Sequence, residues 1–126
     1  MAELEHYSFG GGIAPYSDAV KAGNFYYLSG KIALKDGKLT TLVGTTVTEQ
    51  AKVAIENMLD TIAKLGLKPS NIVKITAFLT DLAHFGPFNE VYKEILNAPY
   101  PARSCVMVKQ LPMNALVEIE AILYSV

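Results

Sequence analysis

From Val73 to Thr80 the chain alternates, with Val73, Ile75, Ala77 and Leu79 set against Lys74, Thr76, Phe78 and Thr80. Period two predicts a strand with one face under a helix and the other in a more polar setting. Ala51, Ala54, Ile55, Met58, Leu59, Ile62 and Leu65 recur instead with helical period. Thr46-Val47-Thr48-Glu49 has capping-box form at the start of that helix, and Gly66 supplies a left-handed stop. A second helix opens at Gly86-Pro87 and carries Phe88, Val91, Tyr92 and Ile95 at i, i+3, i+4 and i+7.

The two ends of the chain read as strands. Ser17 to Lys21 and Phe25 to Ser29 are joined around Gly23-Asn24, and Asp36-Gly37 marks a hairpin between Ile32 to Leu34 and Leu39 to Val43, which predicts a three-stranded meander. Pro101-Ala102-Arg103-Ser104-Cys105-Val106 and Val117-Glu118-Ile119-Glu120-Ala121 close the chain. The order of strands, helix, strand, helix and two strands predicts an α+β fold, a mixed sheet with two helices on one face. Alternation then assigns Phe78, Arg103, Cys105, Met107, Glu118, Ile122 and Tyr124 to the uncovered face. That mix is too apolar to leave wet and too charged for a dry core, so it predicts an oligomer.

Composition narrows the class. At 126 residues and 51% hydrophobic the chain is a single domain, 1–126, large enough to fold without a staple. A net charge of -1 and a pI near 6.1, with no run of Lys and Arg, argue against a nucleic-acid or anionic-membrane partner. Cys105 is the only cysteine, which excludes an intrachain disulfide and fits a reducing compartment. His6 and His84 are too few for a metal site, and no Cys or His pair has ligand spacing. The acidic N-terminus lacks a secretory signal and no apolar run is long enough to cross a membrane, so the expected setting is cytoplasmic.

The closing strands hold the chemistry. A guanidinium at Arg103 can grip a small carboxylate by two parallel hydrogen bonds, and Glu118 can position or deprotonate a water. If the two strands pair, the groups meet. The same pattern also fits an ordinary cross-strand ion pair with no activity.

Ala14-Pro15-Tyr16-Ser17, Leu28-Ser29-Gly30, Asn71-Ile72-Val73-Lys74 through Thr80-Asp81-Leu82, Phe85 with Asn89 and Tyr92, and the two closing strands occur in one order from about Ala14 to Ile122. Together they resemble the RidA/YjgF family, also called endoribonuclease L-PSP. The resemblance implies a chorismate mutase-like fold with a six-stranded sheet, a homotrimer with sites at subunit interfaces, and no metal or organic cofactor. It implies 2-iminobutanoate/2-iminopropanoate deaminase activity, the hydrolysis of reactive enamines and imines of amino-acid metabolism to 2-keto acids and ammonia. By position, Arg103 matches the carboxylate-binding arginine and Glu118 the water-positioning glutamate; Tyr16, Ser29 and Asn89 match pocket residues, and Gly30 and Cys105 backbone contacts. The chain departs from the family at Ala14, where Gly is usual, at Lys31, where Gln is usual, at Ala33, where Pro is frequent, and in a short Leu96 to Pro101 connection. Two other functions fit: RNA cleavage, for which His6 and His84 are poorly placed, and a non-catalytic sensor of keto or amino acids.

Overall fold

The computed structural model describes residues 3–9, 15–35 and 41–126. Six strands form one mixed sheet, β1 (Glu5–Tyr7), β2 (Ala19–Ala22), β3 (Phe25–Leu28), β4 (Ile72–Leu79), β5 (Ala102–Met107) and β6 (Val117–Tyr124), in the spatial order β1-β2-β3-β6-β4-β5. Only β4 and β5 pair in parallel; the other pairs are antiparallel. The helices, α1 (Val47–Lys64) and α2 (Phe85–Ile95), make the two crossovers that return the chain to strands of the same direction. The expected layer of two helices on a mixed sheet is what the chain forms. No helix among the described residues is long and apolar enough to cross a membrane.

Local chemistry sets the helix ends. The Thr46 hydroxyl accepts the Glu49 N–H at 3.2 Å, and the Glu49 carboxylate accepts the Thr45 and Thr46 N–H groups at 3.0 and 3.1 Å. At the other end Gly66 takes φ +76°, which lets the Leu67 N–H reach back to the Ile62 carbonyl at 3.1 Å. Between helices and sheet lie Ile55, Met58, Ile62, Phe88, Ile75, Leu79, Val117, Ile119 and Leu123, all fully buried. Each such side chain contributes about 1.5–3 kcal/mol relative to exposure.

The alternation in β4 is interrupted once. The register against β6 shifts between Ile72 and Lys74, so Ile72 takes the inward place and Val73 bulges out, 44% exposed. The meander also differs from expectation. Its outer strand is β1, paired to β2, rather than the 32–43 hairpin. The Asp36-Gly37 turn lies outside the described residues. Its described flanks pair across the Leu34–Leu42 bridge, the Val43 N–H donating to the Ala33 carbonyl at 2.7 Å and the Lys35 N–H to the Thr41 carbonyl at 3.2 Å, while the Asn57 amide of α1 donates to the outward carbonyls of Ile32 and Leu34, at 3.0 Å each.

A second small core, Ile32, Leu34, Leu111 and Ala115 with Leu42, Phe78 and Val108 packed on it, therefore covers the Phe78 end of the face opposite the helices. Buried Gln50 joins this layer to α1, donating to the Gly44 carbonyl at 3.1 Å and accepting the Leu116 N–H at 2.9 Å. Gln50→Leu leaves both backbone groups unpartnered and is expected to cost about 1–3 kcal/mol. Urea unfolding should show a lower midpoint at unchanged slope.

Candidate functional site

Arg103 and Glu118 are not neighbours. β4 lies between β5 and β6, pairing Ile75 with Arg103 and Phe78 with Glu118. Two strand spacings across the sheet and a three-residue offset along β4 hold their backbones about 14 Å apart. Paired residues share a face, and Ile75 and Phe78 point to opposite faces, so Arg103 and Glu118 do as well. The direct pairing of the closing strands does not occur, and Arg103, Cys105 and Met107 belong to the helix side rather than the open one. On the open face remain Glu118, Glu120, Ile122, Tyr124, Phe25 and Tyr27, and the last three are at least 40% exposed.

The Arg103 half is an aromatic pocket at the sheet edge. The guanidinium carbon lies 4.9 Å from the Tyr92 ring centre, 5.7 Å from Phe88 and 5.8 Å from Phe85, all on the α2 face turned toward β5. Each such contact contributes about 0.5–1 kcal/mol and strips water from the cation without neutralising it. Among the described residues no carboxylate comes within salt-bridge range of Arg103. A cavity of about 430 Å³ opens here, lined by Asn89, Tyr92, Lys93, Tyr100, Pro101 and Arg103. The Tyr92 hydroxyl is buried and meets no hydrogen-bond partner among the described residues, and burial pushes its phenol pKa up, against the pull of the Arg103 charge. Half-buried Cys105 packs beside the core; burial pushes its thiol pKa up against the same pull, which disfavours a thiolate nucleophile.

The Glu118 half sits on the other face. Its carboxylate lies directly on Gly30, so closely that a Cβ there would collide with Oε2. Burial, and then the neighbouring Glu120 charge, push the Glu118 carboxyl above its ordinary 4.5. Ser29 is locked beside it, its hydroxyl donating to the Ser17 carbonyl at 2.6 Å and its N–H to the Asp18 carbonyl at 3.0 Å. Tyr16, 53% exposed, precedes that loop. Gly30→Ala is expected to displace the carboxylate and lower turnover by about 10²-fold, with a far-ultraviolet spectrum like that of the unsubstituted protein.

The structure thus divides the expected residues into two sets, Arg103, Asn89 and Cys105 at the β5 edge, and Tyr16, Ser29, Gly30 and Glu118 around the end of β3 and β6. Sequence reading gave Phe88 only to the buried helix face, set Tyr92 both there and in the block with Phe85 and Asn89, and named neither of them, nor Tyr100, as part of the Arg103 pocket. The signal was present in the spacing: Phe85, Phe88, Asn89 and Tyr92 share one helical face. Among the described residues no three His, Cys, Asp or Glu side chains gather as a set of metal ligands.

Comparison with known proteins covers nearly the whole chain. Residues 11–125 match the family model described as endoribonuclease L-PSP. The RutC family protein UK114 of Drosophila melanogaster is 46% identical over 110 residues, 87% of this chain and 79% of that protein. A 2-iminobutanoate/2-iminopropanoate deaminase of Dermatophagoides farinae is 41% identical over 110 residues, 87% of this chain and 85% of that protein. The crystal structure of E. coli TdcF with bound serine superposes with a TM-score of 0.84 at 35% identity, over 100% of this chain and 98% of that one. With its fold, its length and both candidate half-sites inside the matched region, the chain belongs to the endoribonuclease L-PSP family, the RutC and RidA proteins.

Proposed function

We propose that the protein hydrolyses small 2-imino acids to 2-keto acids and ammonia, in sites that two copies of the chain build together. The carrying observation is the divided site. A part-buried guanidinium with no carboxylate in range among the described residues waits on one face, and a carboxylate with raised pKa on the other, with β4 between them. One chain cannot present both to one small molecule, whereas the exposed open face of a second copy, rich in Phe25, Tyr27 and Tyr124, can bring a Glu118 to an Arg103. A homotrimer, as the family resemblance implies, provides three such sites.

In this reading Arg103 holds the substrate carboxylate by two parallel hydrogen bonds. Glu118 takes a proton from water as the water oxygen bonds to the imine carbon, whose C=N electron pair moves to nitrogen. Proton return from Glu118 to the nitrogen gives the carbinolamine; its hydroxyl proton then passes through Glu118 to the amine nitrogen as the C–N bond breaks and C=O forms, leaving the 2-keto acid and ammonia and restoring the carboxylate. The imine carbon is already electrophilic, so positioning carries most of the chemistry. The Gly30 and Cys105 backbones frame the reacting atoms, with Tyr16, Ser29 and Asn89 around them.

The test adds purified protein to a threonine or serine dehydratase reaction and traps remaining imine with semicarbazide. Faster release of 2-ketobutyrate or pyruvate is expected. No acceleration by folded protein would overturn the reading and leave ligand sensing, which the serine held by TdcF makes the next reading. Metal-free RNA cleavage by a histidine pair finds no support in one chain. His6 lies in β1, and His84 follows β4, with β2, β3 and β6 between those strands.

A further inference from the structure

Resting on that reading for its activity, we infer that the part-buried Lys31–Asp18 ion pair is a positioning clamp that holds the Ser29–Gly30 segment against Glu118. The Lys31 ammonium donates to Asp18 Oδ1 at 2.7 Å, with the two side chains only 16% and 19% exposed. The other carboxylate oxygen, Oδ2, accepts the Phe9 N–H at 2.7 Å. Asp18 also accepts the Ser29 N–H through its main-chain carbonyl, and its neighbour Ser17 accepts the Ser29 hydroxyl. Lys31 in turn exchanges both backbone hydrogen bonds with Ile119, at 2.8 and 2.9 Å, one residue from Glu118.

One carboxylate and one ammonium therefore tie together Phe9, the Tyr16–Asp18 loop, the Ser29–Lys31 segment and the start of β6. Burial works to raise the Asp18 carboxyl, yet the Lys31 hydrogen bond and charge and the Phe9 N–H outweigh it and leave it below its ordinary value. Such a pair gives little net stability over apolar residues of the same shape, and its use lies in fixing one arrangement of the segments it joins. The arrangement matters at this place because Gly30 touches the Glu118 carboxylate with no room to spare. Lys31 does not come within salt-bridge range of Glu118, so it acts through the segment and not by contact with the reacting atoms.

The test compares Lys31→Met, Lys31→Arg and the original protein by imine-hydrolysis kinetics and by amide hydrogen exchange at Ser29. Lys31→Met should lower kcat about tenfold while KM stays within about twofold, since the Arg103 half still binds the carboxylate. Lys31→Arg, which keeps charge and donors, should retain kcat within about twofold. The Ser29 amide should exchange faster in the Met variant only. Unchanged kcat in folded Lys31→Met, or unchanged Ser29 exchange, would overturn the clamp. If Lys31→Met does not fold, Asp18→Asn keeps an acceptor for Phe9 while removing the charge, and the same two measurements decide. A protein without the Lys31 change that fails to speed imine hydrolysis sinks the functional reading alone, because Ser29 exchange still tests the clamp.

Discussion

Arg103→Ala is expected to lower kcat/KM for a 2-imino acid by about 10²–10³-fold, through loss of the substrate's carboxylate anchor. Two hydrogen bonds to a charged partner, each worth about 1.5–3 kcal/mol, disappear together, and a carboxylate buried without them carries its desolvation cost. The loss should appear mainly in KM, because the carboxylate does not change charge along the reaction. Arg103→Lys should recover only part of it: an ammonium supplies a point charge but not a planar fork, and it loses the stacking on Tyr92, 4.9 Å away. The semicarbazide-coupled assay reads both variants, with circular dichroism to establish that each is folded. A Lys variant as active as Arg would mean that charge alone anchors the substrate. An Ala variant with normal kcat/KM would remove Arg103 from the site.

Glu118→Gln is expected to lower kcat by about 10²–10⁴-fold with KM little changed, since the amide keeps the shape of the carboxylate but takes no proton from water. The same substitution has a second expected effect of opposite sign. Burial and then Glu120 raise the Glu118 carboxyl above its ordinary 4.5, so the folded protein holds this proton more tightly than the unfolded chain does. The stability associated with that proton is fully present below the unfolded pKa and is lost as pH rises through the folded one. At neutral pH the charged Glu118 therefore weakens the fold, and Glu118→Gln should raise the thermal midpoint there while erasing the gain near pH 4. Activity runs the other way in the unsubstituted protein, falling as pH drops through the raised pKa because the protonated carboxyl is no base. A variant with lower stability at pH 7 and full turnover would contradict both roles.

Much of this architecture is legible in the chain. The capping box at Thr46–Glu49, the Gly66 stop and the apolar stripes of the two helices are local features, decided by residues three or four apart, and the structure reproduces them. The alternation of β6 is likewise reproduced in full, Val117, Ile119, Ala121 and Leu123 inward and Glu118, Glu120, Ile122 and Tyr124 outward. Where expectation and structure part, a distant partner intervened. β1 took the outer place beside β2 in the meander, and a bulge at Val73 moved the inward place of β4 to Ile72.

The site shows the same division more sharply. The sequence by itself determined the alternation within each strand and the apolar stripe on each helix, because a period of two or 3.6 is a property of a few consecutive dihedral angles. Which strands lie side by side is not local. Inserting β4 between β5 and β6 costs nothing in either strand's pattern, yet it turns an expected Arg103–Glu118 pair into two half-sites on opposite faces of the sheet. Only the tertiary structure decided that, since strand order follows from how α1 and α2 bury their stripes against one shared layer, a balance summed over the whole core.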